Sequence, residues 1–163
     1  FRVGDIRRFS FPMESDLIPL NFDSWNHLSG LRDWHSLFVR VKKALRPGGW
    51  FLFDVNTPRR LSGDWSHPEV IFKPDLTYVQ CGLLPSRAGH TVRRKILMQV
   101  FAKVGGDLRK FSAMVEQCAL PRTDLLEMLR AAGFREIQER PFASRVRERH
   151  IFMKNRLFLA VRA

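Results

Sequence analysis

Two short stretches carry side chains able to hold a polar ligand or move a proton. They are Asn26-His27, after an apolar run at 16–22, and Asp54-Val55-Asn56-Thr57-Pro58, at the end of another. The His27 imidazole can take or give a proton near neutral pH, which makes it a candidate base or orienting group. A capping or surface histidine accounts for it equally well. Asp54 and Asn56 sit where a buried strand ends, and in open α/β sheets that edge lines the ligand crevice. Asn56-Thr57-Pro58 is also ordinary turn chemistry. His35, His67, His90 and His150 are scattered without the spacing that puts two ligands on one helix face, so no metal site is expected. Cys81 and Cys118 lack ligand spacing as well and read as reduced core thiols of an intracellular protein.

The element that positions Asp54 and Asn56 is the stretch Leu45-Arg46-Pro47-Gly48-Gly49-Trp50-Phe51-Leu52-Phe53. Pro47 cannot continue a helix and a following glycine accepts the positive φ of a helix stop, so a helix ends here and a strand begins. Residues 50–55 are apolar on both faces until Asp54, as in a central strand covered on both sides in a mostly parallel sheet. The helix before it spans 31–45, with Leu31, Trp34, Leu37, Phe38, Val41, Ala44 and Leu45 at three-and-four spacing. The apolar run at 16–22 contains Pro19, which donates no ladder hydrogen bond and belongs on a sheet edge.

Residues 59–74 read as a loop or short crossover, followed by strands at 76–81, 92–104 and 108–120. Gly105-Gly106-Asp107 joins the last two as a long antiparallel hairpin. Thr123 is placed to cap a helix over 124–132 that Gly133 ends. Strands at 134–141 and 156–161 close the chain around a basic loop at 142–155. The chain opens on Phe1-Arg2-Val3, which reads as the tail of a strand, then Gly4-Asp5; this predicts a domain that has lost its N-terminal part. With 163 residues and 45% hydrophobic content there is one globular domain with room for a core. The net charge of +12 is spread along the chain, so a solvated face is expected rather than a nucleic-acid surface. Without a membrane-length apolar run, a cytoplasmic protein with no membrane partner is expected.

The order Gly4-Asp5-Ile6-Arg7, Asp16-Leu17-Ile18, Phe22-Asp23-Ser24-Trp25-Asn26-His27-Leu28, Leu45-Arg46-Pro47-Gly48-Gly49 and Phe53-Asp54-Val55-Asn56-Thr57-Pro58 resembles the class I S-adenosylmethionine-dependent methyltransferases. It resembles in particular their small-molecule N- and O-methylating branch. Leu129-Arg130-Ala131-Ala132-Gly133-Phe134 and Arg156-Leu157-Phe158-Leu159-Ala160-Val161 are similar to that family's last helix and strand. The resemblance implies an α/β fold: a partial Rossmann-like sheet, mostly parallel with its last strand antiparallel, and an inserted antiparallel substrate-covering segment over 59–120. The family's glycine-rich cofactor loop and ribose-binding acid are not in this chain. The strands that carry them would lie between 1–3 and 17–21, and their removal uncovers the edge of the Leu17 strand.

The resemblance also implies S-adenosylmethionine as cofactor and a small-molecule methyl acceptor, attacked in line so that orientation carries most of the work. Asp5 would accept from the adenine amino group and Ile6 pack on the ring; Asn21, Phe22 and Asp23 would line the methionine end. Read from the residues alone, Asp5 is a turn acid and Phe22 is packing. His27 would be catalytic, and Asn26, Asp54, Asn56, Trp65 and Tyr78 would bind substrate, with Phe101 and Met98 beside Trp65 and Tyr78 in an apolar wall. A chain lacking the cofactor loop is expected to bind cofactor poorly alone, unless a homodimer or complementing chain completes it. Two alternatives stay open. One is a catalytically silent interaction module pairing through its exposed strand edge; the other is a nucleic-acid binder using Arg145, Arg147, Arg149 and Lys154.

Overall fold

Apolar residues of a helix and of three strand ends converge on one aromatic core. In the computed structural model, which describes residues 3–10, 14–64, 67–141 and 156–163, α1 (Leu31–Ala44) buries Trp34, Leu37, Phe38 and Val41 at helical spacing. This stripe lies against β2 (Leu45–Asn56), whose Phe51, Phe53 and Val55 alternate onto the same side. Phe51 and Phe53 stack at 4.5 Å, and Phe38 meets Phe53 at 5.7 Å and Phe134 edge-on at 6.5 Å. α2 (Arg122–Ala131) adds Leu125, Leu126 and Leu129.

β1 (Ser15–Leu20) runs parallel to β2, β9 (Arg156–Arg162) antiparallel to β2, and β8 (Ile137–Pro141) antiparallel to β9, in the order β1-β2-β9-β8. β1, β2 and β8 therefore point one way and β9 opposes them. By neighbouring pairs only β1/β2 is parallel, so the expected mostly parallel sheet holds for strand direction and not for pairing. Among the described residues β1 is an edge strand, the position a sheet leaves open to a proline such as Pro19. The expectation that β2 is covered on both sides is corrected: Leu52, on the face opposite Phe51 and Phe53, is exposed, and Trp50 lies under the Arg162 guanidinium at 5.7 Å. Between α1 and the regular part of β2, Gly48 takes φ 81°. A Cβ on Gly49 would lie 3.0–3.1 Å from the carbonyl oxygens of Arg46, Asp16 and Ser15.

Between β2 and α2 a second sheet is built from β3 (Glu69–Lys73), β4 (Leu76–Gly82), β5 (Ser86–Ala88), β6 (Thr91–Val104) and β7 (Asp107–Ala119), all antiparallel. β6 and β7 pair from Val92 with Ala119 to Val104 with Asp107, closed by Gly105 and Gly106 at φ 62° and 93°. Both central turn residues with positive φ match the right-handed strand twist, so the two-glycine loop sets the hairpin register. Three sequence expectations are corrected. β3 occupies part of the stretch read as loop, because Val70, Ile71 and Phe72 pair with β4 rather than run across the surface. Val3 lies outside any strand and is fully exposed, while Phe1 and Arg2 lie outside the described residues. Thr123 does not cap α2: Pro121 is at the cap position with no side-chain bond, and the Thr123 hydroxyl donates to Asp124 Oδ1 instead. Gly133, at φ 93°, ends that helix. The basic stretch at 142–155, with Arg145, Arg147, Arg149, His150 and Lys154, lies outside the described residues.

Candidate functional site

The ends of β1, β2 and β7 meet at one edge, and the polar residues there hold one another. Beyond β1, Phe22 and Asp23 adopt left-handed backbone at φ 60° and 49°, a conformation that costs a non-glycine residue on the order of 1 kcal/mol or more. The turn is held by Asp54, whose Oδ2 accepts from the Asp23 backbone N–H at 3.0 Å. A single turn of 3₁₀ helix, Ser24–His27, then drives Trp25 and Asn26 inward and leaves His27 at the rim. Trp25 stacks on Trp34 at 4.5 Å, which anchors the turn to α1.

Asn26 is a bracket between three chain segments. Its Nδ2 donates to the carbonyl oxygens of Asn56 and Cys118 at 3.0 and 2.8 Å, and its Oδ1 accepts from the Asn56 N–H at 2.8 Å. The Asn56 Nδ2 donates to Asp23 Oδ2 and to Gln117 Oε1, each at 2.8 Å. Gln117 Nε2 donates to Asp23 Oδ2 and meets His27 Nε2 at 3.2 Å. Asp23, Asn26, Asp54, Asn56 and Gln117 are all buried. Two carboxylates are thus kept out of water by amide donors and a backbone N–H, the compensation that buried polar groups require.

Measured against sequence expectation, the structure brings Asp23, Asn26, His27, Asp54 and Asn56 together. Asn26 spends its polar atoms on the protein's own backbone, and Asp54 Oδ2 accepts from the backbone N–H of Asp23. Phe22 projects outward from the same edge, 78% exposed, and Asn21 is exposed with its carbonyl accepting from the Ser24 hydroxyl. Asp5 is in a turn of its own: its carboxylate accepts from the Arg7 backbone N–H and from the guanidinium, whose hydrogen bond holds the acid down to about 2. Ile6 packs at the margin of the main core.

Tyr78 is on the inserted sheet, half-buried, its hydroxyl donating to Gln80 Oε1 at 2.6 Å. Burial pushes that phenol up, and Glu69 adds to the shift. Register places Tyr78, Met98, Ile96 and Gln117 on one face, and puts Phe101 on the opposite one, under Lys110 at 5.7 Å. The wall expected to include Phe101 is corrected accordingly. Trp65 lies outside the described residues. Among the described residues no group of three or more histidine, cysteine or acidic side chains is arranged for a metal.

Gln117 was not legible as a site residue. Gln117 is a polar residue in the otherwise apolar strand end Gln117-Cys118-Ala119-Leu120, and that interruption was the available signal.

No protein-family model and no curated protein matches the chain. Solved structures do. A Clostridium acetobutylicum S-adenosylmethionine-dependent methyltransferase superposes with TM-score 0.79 at 20% identity, over 99% of this chain and 63% of that one. This chain has that fold. CalS10, an amino pentose methyltransferase from Micromonospora echinaspora bound to S-adenosylmethionine, matches with TM-score 0.65 at 19% identity, over 98% and 63% of the two chains. KedS8, a sugar N-methyltransferase from Streptoalloteichus, gives 0.65 at 21%, over 98% and 60%. The chain therefore spans about three fifths of the length of the methyltransferases it matches.

Proposed function

We propose that this chain forms the acceptor-facing part of an S-adenosylmethionine-dependent enzyme that methylates a nitrogen or oxygen of a small molecule, an amino sugar being the acceptor class its neighbours favour. The observation that carries the reading is the convergence of β1, β2 and the inserted β7 at one strand-end edge, in a chain that superposes over nearly its whole length on such enzymes. In open α/β sheets that edge receives the ligand.

The residues present fit the methionine end of the cofactor in one respect. Phe22 offers a bare aromatic face at the strand end, and a sulfonium cation is attracted to such a face. The cofactor's chemistry is an electrophilic methyl group on that sulfonium. Asn21, Phe22 and Asp23 would line it, Asp5 and Ile6 would meet the adenine, and Asp5 would do so while still holding Arg7. His27 would meet the acceptor at the rim. Asn56 and Asp54 would fix the floor, and Tyr78, with Met98 and Gln80 on the same sheet face, would form the acceptor wall.

Calorimetry with S-adenosylhomocysteine on the purified chain, with light scattering on the same sample, tests this. Saturable binding, by the chain alone, by a dimer seen in the scattering or by the chain completed with a complementing segment, supports it, and a well-folded sample that binds in none of these forms overturns it. A second reading, an interaction module, is favoured by one observation: among the described residues β1 pairs on one side only, and Leu17 on it is half exposed. A second copy or a complementing chain would then add a strand there.

A further inference from the structure

The carboxamides at the strand ends determine which nitrogen of His27 carries its proton. Asn26 Nδ2 donates both its hydrogens to backbone carbonyls. Asn56 Nδ2 donates both of its own, to Asp23 and to the Gln117 oxygen. Gln117 Nε2 donates one to Asp23, and its second points at His27 Nε2, 3.2 Å away. The amide orientation of Gln117 is not interchangeable. Turned over, its oxygen would face the Asp23 carboxylate, acceptor against acceptor, and its nitrogen would face the Asn56 amide, donor against donor. Asp23, which can only accept when ionised, thus orients Gln117, and Gln117 presents an N–H that requires a lone pair on the ring.

We infer that Gln117 is a positioning residue that holds neutral His27 as the Nδ1–H tautomer, so that His27 faces a bound ligand as a hydrogen-bond donor through Nδ1. Its Nε2 lone pair is already occupied, and among the described residues Gln117 is the ring's hydrogen-bond partner. The ring therefore suits a ligand oxygen with a lone pair to share, a hydroxyl or carboxylate beside the reacting atom. It does not suit an ammonium or hydroxyl that must lose a proton to it. Free imidazole side chains in water favour the opposite tautomer, so the assignment differs from what an unconstrained rim histidine would show. The tautomer follows from the geometry alone. Its use on an acceptor rests on the proposed methyl transfer.

The test is a long-range proton–nitrogen spectrum of the full chain labelled with ¹⁵N-histidine, recorded at about pH 8.5, two units above the ordinary imidazole value, with His27→Asn identifying the signal. The expected result is a protonated, pyrrole-type Nδ1 and a pyridine-type Nε2. In Gln117→Leu the pattern is expected to revert to predominantly Nε2–H, and in Gln117→Glu, whose carboxylate needs a donor, to invert. An Nε2–H pattern in the unmodified chain overturns the inference, and so does a pattern unchanged by Gln117→Leu. If either variant fails to fold, the unmodified spectrum decides. Loss of S-adenosylhomocysteine binding with the Nδ1–H signature intact would sink the methyltransferase reading and leave this one standing.

Discussion

At the scale of single residues, the site is a set of amides whose hydrogens are all spoken for. Asn26 makes this quantitative, because three buried backbone groups depend on it. Asn26→Ala leaves the Asn56 N–H and C=O and the Cys118 C=O without that partner. Each buried orphan costs about 1–3 kcal/mol, with partial relaxation. A loss of about 3 kcal/mol is expected, read as a drop in Tm of roughly 6–12 °C for a domain of this size. A drop under 2 °C would show that water replaces the side chain. Asp5 gives a pH prediction. Its folded value, lowered to about 2 from 3.8 chiefly by its hydrogen bond to Arg7, makes the ionised acid favourable to the fold. The contribution is present above pH 4 and lost as pH falls through 2. Asp5→Asn should therefore flatten the acid limb of the stability curve in that window and lower stability by that same amount at every pH above 4, an amount kept small because the pair is exposed; urea midpoints across pH 2 to 7 that shift in parallel with the unmodified chain would overturn it.

At the scale of elements, local signals were read well and remote ones were not. The apolar spacing of Trp34, Leu37, Phe38 and Val41 gave α1, and two consecutive glycines after Val104 gave the hairpin turn, because both are properties of neighbouring residues. Gln117 meets Asp23 across 94 positions, and no local pattern carries that contact. Val70 to Phe72 pair with β4, a partner no local pattern names, and Thr123 lies inside the first turn of α2, past the cap position at Pro121, with its hydroxyl on Asp124. Gly49 offers an element-scale test: Gly49→Ala pushes a methyl against three backbone oxygens, which cannot swing aside as a side chain would. About 1–3 kcal/mol of destabilisation is expected from urea midpoints, and a neutral result would mean the β1/β2 register yields. The strand end of β7 predicts reactivity too. Cys118 is buried in the core and its thiol is pushed up by that burial, whereas Cys81 is half-buried. Maleimide should modify Cys81 first, with Cys118 reacting only on unfolding; mass-mapped labelling checks the order.

At the scale of the whole molecule, the fold was legible as a small α/β sheet with an antiparallel insertion. The antiparallel last strand was legible too, through the resemblance; that it lies between β2 and β8, which leaves β1/β2 as the parallel pair of this sheet, depends on contacts no local pattern carries. Among the described residues, β1 forms one edge of the main sheet. A charge placed there opposes edge-to-edge pairing. Leu17→Lys, at a half-exposed position, should reduce any dimer detected by light scattering at high concentration while leaving Tm within about 2 °C. An unchanged dimer fraction would place self-association elsewhere.

The long β6–β7 hairpin reaches the polar floor at one end, and β4 pairs with β6 along its length as far as Ala102. Near Ala119 it is held by Asn26 on the Cys118 carbonyl and by Gln117 on Asp23, whereas Gly105 and Gly106 close it with exposed residues around them. Paired over roughly 40 Å at about 3.3 Å per residue, it carries the inserted sheet away from that floor, so a small rotation about the held end moves the glycine tip furthest. A ligand lying under this sheet would arrive and leave beneath the glycine tip, while the clamped end stays put and keeps the polar floor registered through each exchange.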